Sequence, residues 1–265
     1  MFGSVAPTRA EQLLLQQRVL VIAHRGNSSA APENTLPAFQ SATALGVDLV
    51  EFDYHHSADG VPVVIHDATL DRTTDAASRW GMENLAVAGR TMAELATLDA
   101  GSWFASQFAA ARLSTVADAG VAIHAGGCVT LIERKTGDAA TLIAALAKHD
   151  RLGDAIVQAF DWTFLAECRR LEPRLVVGAL GRGAITSERL ADVVAIGAKF
   201  IGWADADLHG ENVALAHRLG LKVFDFTVDD DLRAVQLIAF GLDGIITNVP
   251  ERMMKIVDEQ TGVAA

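Results

Sequence analysis

Short apolar runs alternate with amphipathic segments along this chain. The runs at 19–23, 47–53, 130–135, 155–160, 175–180, 200–203, 223–227 and 244–247 read as strands. Most are separated by helix-like stretches, at 36–45, 139–149, 162–171, 187–196, 210–219 and 229–240. Strand and helix in alternation imply a parallel sheet, and eight such strands predict a closed (β/α)8 TIM-type barrel. Residues 69–115 break the rhythm: only 91–98 looks helical, while 71–75 and 100–104 look like loop. They read as a small insertion after a hairpin on the second strand, lying over one face of the barrel.

Composition narrows the class. A length of 265 residues fits one barrel domain spanning 1–265. The 51% hydrophobic content excludes a disordered chain. A net charge of −11 argues against nucleic acid or an anionic membrane as partner. It leaves room for a small anionic substrate, because a bound cation reverses the local field. Cys128 and Cys168 lack metal-type spacing and suit a reducing cytoplasm. The N-terminal segment lacks the basic start and apolar run of a leader, and no stretch is long enough to span a membrane. The oligomeric state is left open.

Barrel chemistry stands at the carboxyl ends of strands. The first strand runs into His24-Arg25-Gly26, a base beside an anion-binding group. Glu51 and Asp53 lie two apart on a strand, so both carboxylates point inward while Val50 and Phe52 point out. Paired inward carboxylates call for a cation, and an oxygen-only set suits Mg²⁺ or Ca²⁺. Asp59-Gly60 signals a two-residue hairpin turn, which would set Asp53 opposite His66. Glu133 and Lys135 repeat the two-residue spacing: the Glu could complete a metal site and the Lys could hold an anion. Two histidines, three carboxylates and two cations suit phosphoryl chemistry.

In these stretches the sequence resembles the glycerophosphodiester phosphodiesterase family. The matching residues are Ala23-His24-Arg25-Gly26, Pro32-Glu33-Asn34-Thr35, Glu51-Phe52-Asp53, Asp59-Gly60 through His66-Asp67, Arg72-Thr73-Thr74, Glu133-Arg134-Lys135 and Gly241 through Thr247. The resemblance implies a divalent metal on Glu51, Asp53 and Glu133. It implies His24 and His66 as the acid–base pair, and Arg25 and Lys135 on the phosphate. In the usual mechanism of that family, one His deprotonates the glycerol 2-hydroxyl, which attacks phosphorus, and the other protonates the departing alcohol. Water then opens the cyclic phosphate. The substrate would be a small glycerophosphodiester and the products glycerol 3-phosphate and an alcohol.

Three positions depart from the family pattern. Phe226 stands where a Trp is common, and so forms an altered pocket wall. Asn248 replaces an Asp, and Leu113 through Val116 replaces a family segment before the Glu-x-Lys strand. His55 and His56 read as exposed hairpin residues, and His124, His149, His209 and His217 as surface residues. Glu33-Asn34-Thr35 reads as a helix start, with a supporting role behind the site left open. Two alternatives stand beside the soluble enzyme: a lysophospholipase D-type hydrolase on the same scaffold, and a non-catalytic barrel binding phosphorylated ligands.

Overall fold

A computed structural model describes residues 6–262. The reading of the first residues as no leader rests partly on 1–5, which lie outside the described residues. The strands are β1 (Leu20–Ala23), β2 (Leu49–His56), β3 (Pro62–Val64), β4 (Val129–Arg134), β5 (Ala155–Ala159), β6 (Val176–Gly181), β7 (Phe200–Ala204), β8 (Lys222–Phe226) and β9 (Gly244–Thr247). The order β1-β9-β8-β7-β6-β5-β4-β2 is parallel throughout, and the β1–β2 pairing closes it into the expected eight-stranded barrel. β3 lies antiparallel on β2, outside the barrel count.

Most of the helices carry local start signals. They are α1 (Arg9–Leu14), α2 (Leu36–Leu45), α3 (Ala76–Trp80), α4 (Met92–Leu95), α5 (Val116–Ala125), α6 (Ala139–Ala147), α7 (Trp162–Leu171), α8 (Ser187–Ala195), α9 (Gly210–Arg218), α10 (Asp231–Ala239) and α11 (Pro250–Thr261). Thr115, Asp138, Asp161, Thr186 and Asp230 each accept a backbone N–H of the helix that follows. α1, α3, α5 and α11 escape the sequence pattern. The first turns of α5 are nearly all small or apolar residues, which blurs any polar face.

Strand alternation sorts the core into two layers. Val21, Ala23, Val50, Phe52, Tyr54 and Ile132 pack outward against the helices. Leu20, Ile22, Leu49, Val129, Leu131 and Phe224 fill the interior, with Ala10 and Leu14 of α1 packed against them. Glu51 and Asp53 continue the inward row begun by Leu49, and Glu133 continues Val129 and Leu131. The bottom of the barrel is therefore apolar and its carboxyl end ionic.

The hairpin differs from the expected register by one residue. Tyr54 pairs with Val64 and His56 with Pro62, so Asp53 faces Ile65, whose N–H donates to the Asp53 carbonyl at 3.0 Å. A two-residue type I′ turn needs positive φ at both central residues. Gly60 has it, at +75°, but Asp59 does not. The loop widens to Ala58-Asp59-Gly60 and closes with Ser57 N–H on the Val61 carbonyl at 3.0 Å. His66 lies two residues beyond the end of β3, so strand alternation does not set its direction. Beyond it, residues 69–115 hold α3 and α4 over a small core of Val63, Ile65, Leu70, Leu95, Leu98 and Leu113.

Candidate active site

The predicted residues converge. One cavity of about 120 Å³ is lined by His24, Arg25, Glu51, His66, Glu133, Lys135 and Phe226. Asp53 lies beside Glu133 in the β2–β4 register, and ligand atoms of Glu51, Asp53 and Glu133 all fall within 4.8 Å of one another.

His24 and Arg25 leave the end of β1 in a tight bend. Arg25 itself has φ +56°, and Gly26 has φ +82° with the backbone of Ala38 pressed against it. Such strained backbone persists where the surroundings hold it. Here Arg25 N–H donates to Glu51 Oε2 at 2.9 Å. Its guanidinium donates to Glu33 Oε1 at 2.8 Å, and its Nε lies 3.3 Å from Asp53 Oδ2. Asn34, also at positive φ, donates to Asp53 Oδ2 at 3.0 Å and accepts the Asp53 N–H.

The role of Glu33-Asn34-Thr35 therefore changes. Thr35 occupies the start of α2 but makes no side-chain cap, while Glu33 and Asn34 buttress the site. Arg72, from the insertion, donates to both Glu33 and Asp67. The sequence reading also missed Asp67 and Gln158, and it treated Asn248 as a departure of little effect rather than a partner of His24. Gln158 is the register partner of Glu133, buried at the cavity wall. An inward polar residue on an apolar strand is the signal that could have found it. His55 is buried rather than exposed: its Nε2–H donates to the His66 carbonyl at 3.0 Å. His124 is buried too.

The two histidines have unlike partners. His24 Nδ1 donates to Asn248 Oδ1 at 2.8 Å. The direction follows because Asn248 Nδ2 donates to the Asp229 carboxylate at 2.7 Å, which leaves the amide oxygen facing the ring. His66 Nδ1 instead meets the carboxylate of Asp67 at 2.6 Å. Burial lowers the His24 pKa below the ordinary histidine value, and Arg25 adds to the effect.

The carboxylates are mutually frustrated. Burial pushes Glu51 well above the usual carboxylate range, with Asp53 and Glu133 adding to it. Burial and Asp53 likewise push Glu133 up. Burial acts the same way on Asp53, but Lys135 and Arg25 outweigh it and hold it at about 2. Lys135 Nζ lies 2.9 Å from Asp53 Oδ1 and also contacts Glu133. Glu51 Oε1 is buried with no hydrogen-bond partner. An oxygen-only triad with an unpartnered buried oxygen fits a hard divalent cation.

Comparison with known proteins agrees with this geometry. A profile of the Glycerophosphoryl diester phosphodiesterase family matches residues 24–252. The chain is 32% identical to a glycerophosphodiester phosphodiesterase of Caldanaerobacter subterraneus, over 91% of this chain and 98% of that one. It is 30% identical to one from Bacillus subtilis, over 97% and 92%. Its fold matches a phosphodiesterase of Oleispira antarctica solved with the product sn-glycerol-3-phosphate, at TM-score 0.82 and 29% identity, over 90% of this chain and 96% of that one. The chain belongs to the glycerophosphoryl diester phosphodiesterase family and is a phosphodiesterase.

Proposed function

We propose that this protein hydrolyses small glycerophosphodiesters to glycerol 3-phosphate and an alcohol, with a divalent cation, Mg²⁺ or Ca²⁺, held by Glu51, Asp53 and Glu133. When bound, the cation neutralises phosphoryl oxygen charge and relieves the repulsion among the three carboxylates. Arg25 and Lys135 hold the phosphate oxygens.

His24 is the base of the first step and His66 the acid. Both present Nε2 to the cavity because Nδ1 is engaged. His24 is buried against a neutral amide, and burial disfavours its charged form, whereas His66 has the carboxylate of Asp67 beside its Nδ1. His24 Nε2 takes the proton of the glycerol 2-hydroxyl, and that oxygen bonds to phosphorus. The bond from phosphorus to the alcohol breaks, and His66 supplies the proton to the departing oxygen. In the second step His66 takes a proton from water, the water oxygen bonds to phosphorus, the bond from phosphorus to the 2-oxygen breaks, and His24 returns its proton to that oxygen. Both histidines end as they began.

We further read residues 69–115 as a cover on this face of the barrel, tied to the site by Arg72 through Glu33 and Asp67. The observation that carries the reading is the cavity itself, where two histidines with opposite partners, two cations and the carboxylate triad meet. The test is release of glycerol 3-phosphate from a panel of glycerophosphodiesters with Mg²⁺ or Ca²⁺ present. Turnover should stop on chelation and in His24→Ala. Turnover that survives either change contradicts the mechanism.

A further inference from the structure

The catalytic cavity is small. Its 120 Å³ compares with about 300 Å³ at the low end for pockets that bury a drug-sized ligand. It opens beside a groove of about 620 Å³ that shares two of its wall residues, Phe160 and Arg182. The reacting phosphate belongs with the metal triad and Arg25. The variable alcohol half therefore extends toward this open groove.

Arg182 stands at the junction. Its guanidinium carbon lies 5.0 Å from the ring centre of Phe226 and 5.5 Å from that of Phe160, and the two rings meet edge to face at 5.8 Å. Among the described residues its side chain forms no ion pair and donates no hydrogen bond. Its carbonyl accepts from Arg189 at 2.9 Å. Its loop is nonetheless fixed. Arg189 also donates to the Ala184 carbonyl at 2.7 Å, Gly183 N–H donates to Asp207 at 2.6 Å, and Trp203 Nε1 donates to the Gly183 carbonyl at 2.7 Å. A guanidinium with free donors on a pre-organised loop pays little ordering entropy when it meets an anion.

The groove's charge has the same sense. It contains Arg182 and Arg189 against Asp192 alone, in a chain whose overall charge is −11. The aromatic pair would otherwise suit a quaternary ammonium, but Arg182 already lies over both rings and repels a second cation.

Taking the phosphodiesterase reading as given, we propose that Arg182 is a specificity-determining residue for the alcohol half. It selects diesters whose alcohol carries its own phosphate over those ending in a quaternary ammonium. A hydrogen-bonded charge pair of this kind corresponds to about tenfold or more in kcat/KM.

The test compares glycerophosphoinositol, its 4-phosphate and glycerophosphocholine, each with saturating divalent cation, in the wild type, Arg182→Gln and Arg182→Lys. The first two substrates differ by one phosphate. The wild type should prefer the 4-phosphate by about tenfold, chiefly in KM. Arg182→Gln should erase that ratio and Arg182→Lys should keep part of it. The ratio of choline to inositol diester should rise in Arg182→Gln. Equal use of the matched pair by the wild type, or an equal loss on all three substrates in Arg182→Gln, overturns the proposal. Absence of turnover on every diester overturns instead the phosphodiesterase reading on which it rests.

Discussion

Asn248 and His24 are joined by a 2.8 Å hydrogen bond that fixes which ring nitrogen faces the substrate. Asn248 is itself oriented by Asp229, which also accepts from Thr247 Oγ1 and the Asn248 N–H at 2.8 Å. A neutral partner leaves His24 with its pKa lowered by burial and by Arg25. As the proposed base, His24 works when unprotonated. The acidic limb of the pH profile therefore lies at that lowered value, and activity falls as pH drops through it. Asn248→Asp sets a carboxylate against Nδ1–H, raises the His24 pKa and moves this acidic limb to higher pH. Asn248→Ala frees the tautomer and lowers kcat, within the 10²–10⁴-fold that general acid–base catalysis typically contributes. A pH profile of kcat for the three proteins checks both statements. An unmoved limb in Asn248→Asp would count against His24 as the base.

The carboxylate triad predicts an inverted pH dependence of stability without cation. Glu51 and Glu133 have folded-state pKa values raised above the ordinary carboxylate value. The stability they contribute is full below that ordinary value and is lost as pH rises through the raised one. Asp53 acts oppositely in a lower window. Its stability is present above the ordinary aspartate value of 3.8 and is lost as pH falls toward about 2. Cation-free protein should therefore lose Tm on going from mildly acidic to neutral pH. Added Mg²⁺ or Ca²⁺ should remove the loss. At a concentration 100 times Kd, binding adds about 2.7 kcal/mol. For a domain of this size that is about 5–11 °C in Tm. Glu51→Gln should raise the Tm of cation-free protein at neutral pH and abolish the cation response. Thermal melts with chelator and with cation decide it.

Two glycines provide a matched pair at the start of the site. Gly26 and Gly46 have nearly equal positive φ, +82° and +79°. A Cβ on Gly46 meets nothing within 4 Å, whereas one on Gly26 would sit 2.7 Å from the Ala38 carbonyl carbon. Gly46→Ala should cost only the left-handed penalty, about 1–2 kcal/mol. Gly26→Ala should cost clearly more and also reduce turnover, because it shifts the bend that carries His24 and Arg25. Equal denaturation midpoints would refute the close approach.

Much of this architecture was legible because period-two alternation is a local property. It placed Glu51 with Asp53 and Glu133 above Leu131 without knowledge of the neighbouring strands. The hairpin was not legible to one residue, because Asp59 and Gly60 suit both a two-residue and a three-residue loop. The choice follows the φ that Asp59 adopts, with its carboxylate accepting from Met92 N–H of α4. The supporting residues were hidden for another reason. Glu33, Asn34 and Arg72 lie in irregular segments whose partners are distant in sequence, and their local pattern reads as turn or cap. Arg182 is exposed, and only the rings of Phe160 and Phe226 beneath it set it apart.

The most direct measurement of the central claim is phosphorus NMR of the reaction on glycerophosphocholine. With Mg²⁺ or Ca²⁺, the wild type should yield glycerol 3-phosphate as its final phosphorus-containing product. His24→Ala, Glu51→Gln and chelated wild type should leave the diester intact. Phosphocholine as product, which places the break on the glycerol side of phosphorus, would contradict the account. So would undiminished hydrolysis under chelation.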